Sequence, residues 1–198
     1  MRSEISVLLY PGCIFFEVAL AVEVLASRYD VRYYSPDGKN HLASNGATIL
    51  AYGSYSNLEA AQSVALLLPG GDPGSILVPE NLARPCLSAA YERSALIAGI
   101  CAGNLVIAAS GLLRGRRGTH NYTPEYASPE QVETAAPYWD GMTYEHADLV
   151  HDSSVVTAMP WAYRKFASRL GHLLGVLSVS EASALESYVV RRSINNDA

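Results

Sequence analysis

The chain has 198 residues, 49% of them apolar, with 14 Lys and Arg against 19 Asp and Glu for a net charge of −5. That length and apolar share describe one folded domain over residues 1–198 with its own core, and exclude a disordered chain. A negative balance without a basic block argues against a nucleic-acid partner, since phosphate binding needs clustered Lys and Arg, and no stretch approaches the roughly 18–20 apolar residues of a membrane helix.

The elements alternate between short apolar strands and amphipathic helices. Ile5–Tyr10 reads as a buried strand ended by Pro11-Gly12. Phe15–Ser27 is expected to be a helix, with Phe16, Leu20 and Val24 at four-residue spacing. Val31–Tyr34 is the next strand, and Asn45–Ala51 with its surroundings suggests an irregular hairpin. Val64–Leu68 is a fully apolar strand that ends in Pro69-Gly70-Gly71, followed by a helix over Glu80–Glu92 and a buried strand over Ala95–Ile100. A helix begins just after Cys101 and runs to about Ser110, where Gly111 is a fitting stop. Beyond it, Pro124–Pro137 carries helix signals broken by prolines. Tyr144–His151 and Ser154–Ala158 suggest paired strands around an Asp-Ser turn. Trp161–Leu174 and Ala182–Asn195 read as helices. Arg114, Arg116 and Arg117 are the densest basic spot and read as a solvated turn.

Continuous apolar strands, as opposed to alternating ones, imply a parallel sheet covered on both faces. Function in such sheets gathers at the carboxyl ends of the strands. Three loops there stand out: Tyr10-Pro11-Gly12, Pro69-Gly70-Gly71 and Gly99-Ile100-Cys101-Ala102-Gly103. In the last, a sharp strand-to-helix turn projects its central residue, as in the G-x-S-x-G elbow of hydrolases. That residue is Cys101. A helix N-terminus favours an anion, so the thiol pKa is expected below its ordinary value of about 8.5. The backbone amides of Gly71 and Ala102 would then form an oxyanion hole. Cys13, Cys86 and Cys101 are odd in number and widely spaced, with no C-x-x-C pair, so neither a disulfide framework nor a metal site follows. The remaining histidines, His41, His146, His151 and His172, lack metal-ligand spacing, and no metal or cofactor is assigned. The N-terminal apolar run is too short for a secretory signal, so a cytoplasmic location is expected.

Taken in order, Tyr10-Pro11-Gly12 followed by Glu17, then Pro69-Gly70-Gly71, then Ala98–Gly103 around Cys101, then Thr119-His120, resemble the ThiJ/PfpI family of the class I glutamine amidotransferase-like superfamily. The likeness covers at least residues 4–175. It implies an α/β fold, a flavodoxin-like three-layer sandwich with a mostly parallel central sheet and a nucleophile elbow, usually dimeric. By position it makes Cys101 the nucleophile and Glu17 the acid that hydrogen-bonds its sulfur. His120 becomes the general base, with Glu125 as the nearest acid that could orient it. A carboxyl beside a thiolate in a partly buried pocket is expected to be protonated. Glu23, six residues after Glu17, faces another direction and reads as structural.

Departures from the family pattern narrow the activity. Ala102 stands where PfpI-type proteases have a His, which disfavours a peptidase. Ala19-Leu20-Ala21 replaces the Thr-Gly-Pro run of isocyanide hydratases, and Met159–Tyr163 brings bulky aromatics in place of a small-residue turn, which implies a smaller or differently shaped pocket. The reading that follows is a cysteine-dependent hydrolase, lyase or hydratase acting on a small-molecule substrate as a homodimer. The alternative is a redox or stress-response protein whose Cys101 is oxidised to sulfinic acid. A DNA-binding regulator is given little weight, because the chain ends soon after Arg191 and Arg192.

Overall fold

A computed structural model describes residues 2–58 and 63–187. Strand β1 (Glu4–Leu8) is buried at every position, and its two polar members are paired, Ser6 donating its hydroxyl to Glu4 Oε1 at 2.8 Å. Helix α1 (Phe16–Ala26) leads to β2 (Asp30–Ser35), and a small hairpin of β3 (His41–Leu42) and β4 (Thr48–Ile49) precedes β5 (Gly53–Ser54). This is the irregular hairpin expected around Asn45–Ala51; its turn spans Ala43–Ala47, where Asn45 Oδ1 accepts from the Ala47 amide.

Strand β6 (Ser63–Leu68) is followed by a single helical turn α2 (Gly74–Leu77), helix α3 (Arg84–Glu92), strand β7 (Leu96–Ile100) and helix α4 (Gly103–Ala109). Helix α3 starts four residues later than the expected Glu80. Asn81 folds its side chain onto the Ala83 amide at 3.0 Å, a local turn that competes with helix. Two-residue strands β8 (Arg117–Gly118) and β9 (Thr143–Tyr144) pair in parallel around helix α5 (Pro129–Ala135). Ser128 and Gln131 form a capping box at the start of α5, and Pro137 converts its end to a 3₁₀ turn over Ala136–Trp139.

Strands β10 (Leu149–Asp152) and β11 (Val155–Ala158) form the expected hairpin, with Ser153 at φ 57° in the turn. Tyr144 belongs to β9, since a turn at Glu145–Ala147 separates it from β10. Helices α6 (Tyr163–Leu173) and α7 (Val179–Ser187) complete the described chain. Helix α7 begins at Val179 because Ser178 and Glu181 cap each other reciprocally. The expected extension to Asn195 lies outside the described residues.

The main sheet has the order β10-β11-β7-β6-β1-β2-β5, parallel throughout except for the β10–β11 edge. Helix α1 packs on α6, while α3 and α4 pack on β6 and β7. The result is a flavodoxin-like three-layer sandwich. From β1 the chain moves outward to β2, then crosses back to place β6 on the other side of β1. The carboxyl ends of β1 and β6 therefore flank a topological switch point, the place where such sheets open a crevice.

Candidate active site

Three loops meet at that crevice and are bonded to one another. Tyr10, fully buried at the end of β1, donates its hydroxyl to the Pro69 carbonyl at 2.9 Å. The Ile14 amide donates to the Gly70 carbonyl at 2.8 Å. After β7, Cys101 adopts φ 55°, a left-handed conformation that a non-glycine residue holds only where its surroundings impose it. Its amide donates to Ala158 on β11 at 3.0 Å. Asn104, fully buried in α4, donates to the same Ala158 carbonyl at 2.9 Å and to Thr119 at 3.2 Å, so one side chain ties the elbow to the His120 loop.

Glu17 sits at the start of α1, 2% exposed, and its Oε2 accepts the Gly70 amide at 2.8 Å. Gly70 leaves the space in which Glu17 and Cys101 meet. A carbon on its Cα would lie 2.4 Å from Glu17 Oε2 and 2.7 Å from Cys101 Sγ. Gly71, at φ 127°, turns its amide toward the sulfur, and the Ala102 amide faces it from the elbow. Sequence reasoning expected a lowered thiol pKa. Instead, burial and the neighbouring Glu17 carboxylate push Cys101 up to about 12, outweighing the two amides that favour the anion. Helix α4 has only seven residues, which limits its dipole. Glu17 is itself pushed up to about 7, first by burial, against the Gly70 amide and the Cys101 thiol that favour its ionised form. The pair therefore holds the proton on sulfur above about pH 7, with an adjacent carboxylate to receive it, and Glu17 is protonated only below that. Cys13 and Cys86 are buried deeper, 1% and 6% exposed, and burial pushes both thiols up.

His120 is placed differently from the expectation of a base on the thiol. It is 6% exposed and stacks on Trp139 with ring centroids 3.9 Å apart and an interplanar angle of 13°. Its Nδ1 accepts the Tyr122 amide at 3.1 Å, which leaves the proton of the neutral ring on Nε2. Burial pushes its pKa down to about 4. The ring is thus a neutral donor through Nε2. Long-range proton–nitrogen NMR should report the Nε2–H tautomer for His120 from pH 5.5 to 8; a doubly protonated ring at pH 6 would contradict this arrangement. Glu125 pairs with His146 at 3.6 Å and does not orient His120 through any bond among the described residues. Glu23 is exposed on α1, as its spacing implied.

A family model for the DJ-1/PfpI family matches residues 3–170. The chain belongs to the DJ-1/PfpI family. Among solved structures, a DJ-1 superfamily protein from Agrobacterium tumefaciens superposes with a TM-score of 0.79 at 24% identity, covering 93% of this chain and 96% of that one. DJ-1beta from Drosophila melanogaster gives a TM-score of 0.73 at 23% identity over 93% and 96% of the two chains. A ThiJ/PfpI domain protein from Brachyspira murdochii gives 0.75 at 17% over 90% and 100%. No curated protein matches this chain.

Within this DJ-1/PfpI fold, one residue near the thiol escaped sequence reasoning. Burial first, and then the nearby Cys101 and Asp72 that oppose its ionisation, push the Tyr122 phenol up to about 12. A tyrosine in an irregular loop carries no spacing signal, so only the folded loop reveals it. Tyr122 also forms part of the wall of a cleft of about 260 Å³ between the loop after β6 and helix α5. Cys101 itself is not part of that wall. The aromatic segment Met159–Tyr163 does not line that cleft. Trp161 is 48% exposed, donates its Nε1 to Asp148 at 2.9 Å and leans on Tyr126. No helix among the described residues is long and apolar enough to cross a membrane.

Proposed function

We propose that this chain is a cysteine-dependent enzyme that acts on a small electrophilic substrate, as a hydrolase, lyase or hydratase. The observation that carries this reading is the Cys101 elbow at φ 55°, with Glu17 against its sulfur and two backbone amides aimed at the same place. As Sγ bonds to the electrophilic carbon, Glu17 takes the thiol proton. A carboxylate with a pKa of about 7 is well matched to that transfer near neutral pH. The carbonyl electron pair moves to oxygen, where the Gly71 and Ala102 amides hold it. When the pair returns, Glu17 delivers its proton to the departing group, and water releases the acyl group from sulfur in a hydrolase. His120 serves as a neutral Nε2–H donor to the substrate and not as a base. A homodimer in the cytoplasm belongs to the same proposal, supported by the family resemblance, by exposed Phe16 beside Tyr163, and by the three free cysteines.

The second reading is oxidation of Cys101 to a sulfinic acid, with Glu17, protonated below about pH 7, donating to the new oxygen. A thiol pushed up to about 12 is rarely a thiolate, which favours the enzyme over the sensor. One experiment separates them. Wild type and Cys101→Ala are assayed against methylglyoxal, glyoxal, isonitriles, amides and peptides, alongside peroxide titration followed by intact mass. Turnover by wild type that drops to background in Cys101→Ala supports the enzyme. Full turnover by Cys101→Ala sinks the mechanism, and oxidation confined to Cys101 with no turnover on any substrate supports the sensor.

A further inference from the structure

The cleft beside Tyr122 starts one residue from the oxyanion amides. Gly71 turns its amide to the Cys101 sulfur, and the next residue, Asp72, lines the cleft. Consecutive Cα atoms are about 3.8 Å apart, so the cleft wall begins one residue along the chain from an amide that faces the Cys101 sulfur. Tyr122 bridges the two places, since it lines the cleft and lies within electrostatic reach of both Cys101 and Asp72. The floor and sides are largely apolar, with Leu77, Leu105 and Ala135 themselves buried, and Val78 exposed at the mouth. The charged side chains on the wall are Asp72 and Glu130, both carboxylates, and no Lys, Arg or His joins them. At about 260 Å³ the cleft falls just under the roughly 300–1,000 Å³ usual for drug-sized ligands.

We infer that this cleft holds the non-reacting arm of the substrate, an uncharged and mainly apolar group of a few carbon atoms, and that it discriminates against arms ending in carboxylate or phosphate. The inference rests on the enzymatic reading of Cys101 and deepens it. Two physical effects support it. Apolar carbons leaving water gain free energy in proportion to the area they bury. An anionic tip would meet Asp72 and Glu130 with no cation to offset them, an unfavourable like-charge approach.

The test needs no knowledge of the natural substrate. Three chloroacetamides are compared as alkylating agents of Cys101: N-methyl, N-butyl and N-(3-carboxypropyl). In each, Sγ bonds to the methylene carbon, chloride leaves with the C–Cl electron pair, and the thiol proton passes to Glu17 or water. Site-specific rates come from peptide mass spectrometry, and β-mercaptoethanol supplies the intrinsic reactivity of each reagent. The expected result is N-butyl about tenfold faster than N-methyl after that correction, and the carboxypropyl reagent at least tenfold slower than N-butyl. Thr134→Trp, an exposed position on the cleft wall, should bring the N-butyl to N-methyl ratio close to one. Asp72→Asn with Glu130→Gln should remove most of the penalty on the carboxylate.

Corrected ratios near one in wild type, or a ratio that Thr134→Trp leaves intact, overturn the inference while Cys101 stays reactive. A second readout separates it from the enzymatic reading. In Cys101→Ala, N-butylacetamide should shift the backbone amide resonances of Asp72, Leu105 and Thr134, and butyrate should not. If wild-type Cys101 reacts with none of the reagents yet these resonances still move, the enzymatic reading fails, and with it the cleft's link to a Cys101 substrate, while its preference for uncharged apolar groups stands. If the resonances stay fixed, the cleft assignment fails.

Discussion

Gly103→Ala lowers the unfolding free energy by about 3 kcal/mol, the upper end of what overpacking usually costs. Helix propensity predicts the opposite sign, since alanine in place of glycine inside a helix gains about 1 kcal/mol. The reason for the reversal is contact. A Cβ on Gly103 would lie 2.2 Å from the Leu68 carbonyl oxygen and 2.9 Å from that of Pro69. Those atoms are backbone at the end of β6, a strand hydrogen-bonded on one side to β1 and on the other to β7, so they have little room to retreat. Any shift also carries Gly70 and Gly71 away from Cys101, so reactivity should fall with stability. Urea unfolding reads the effect as a lower midpoint at unchanged slope. A Gly103→Ala protein with the wild-type midpoint would mean that the helix does not lie this close to the strand.

Glu17→Gln should separate activity from stability, in opposite directions. On the proposed mechanism turnover should fall about a hundredfold or more, because the group proposed to receive the thiol proton is gone. The thiol should titrate at lower pH, because the Glu17 carboxylate no longer opposes the thiolate. Stability moves the other way at alkaline pH. Glu17 is raised from 4.5 to about 7 in the folded protein, so between those values the native state keeps a proton that the unfolded chain has lost. Stability from this group is present below about pH 4.5 and is lost as pH rises to about 7, by roughly 3 kcal/mol at about 1.4 kcal/mol per pH unit. The amide introduced by Glu17→Gln has no proton to release, so the variant should be more stable than wild type at pH 8.

His120 works with the other sign. Its folded value lies near 4, below the ordinary 6.5, so the unfolded chain binds the proton first. Its contribution is present above about pH 6.5 and lost as pH falls toward 4. Between about pH 4.5 and 6.5 the two slopes offset each other in wild type. In Glu17→Gln only the His120 slope remains, so the variant should lose stability on acidification from pH 7 to 5 while wild type stays nearly level. Urea midpoints at pH 5, 6, 7 and 8 decide it; parallel curves for the two proteins would contradict the burial of Glu17 as a titrating carboxyl.

Several features of the fold were legible because they rest on local signals. The strands Glu4–Leu8, Ser63–Leu68 and Leu96–Ile100 announce themselves by mainly apolar runs, interrupted only by Glu4, Ser6 and Ser63, and their burial is nearly complete. The start and end of α4 follow from Cys101 and from Gly111, which indeed adopts φ 81°. The late start of α3 was hidden, because Asn81 acts through a hydrogen bond to a residue only two positions on. The strands β8 and β9 were hidden for another reason. Two residues carry no period, and their pairing is made by chain ends far apart in sequence.

Cys101 and its loops were therefore determined by the sequence alone, since a strand, a turn and a helix start are local matters. The turns that carry Gly71 and Ala102 are local too, but that their amides face the Cys101 sulfur is a product of the fold. Tertiary structure alone decided the protonation of the site. Burial, which no motif encodes, pushes Cys101 and Glu17 up together and His120 down. It also decided which nitrogen of His120 accepts the Tyr122 amide, and that Tyr122, within electrostatic reach of the thiol, lines a cleft together with Asp72. A residue's charge state depends on how much water its neighbours exclude, and those neighbours come from every part of the chain.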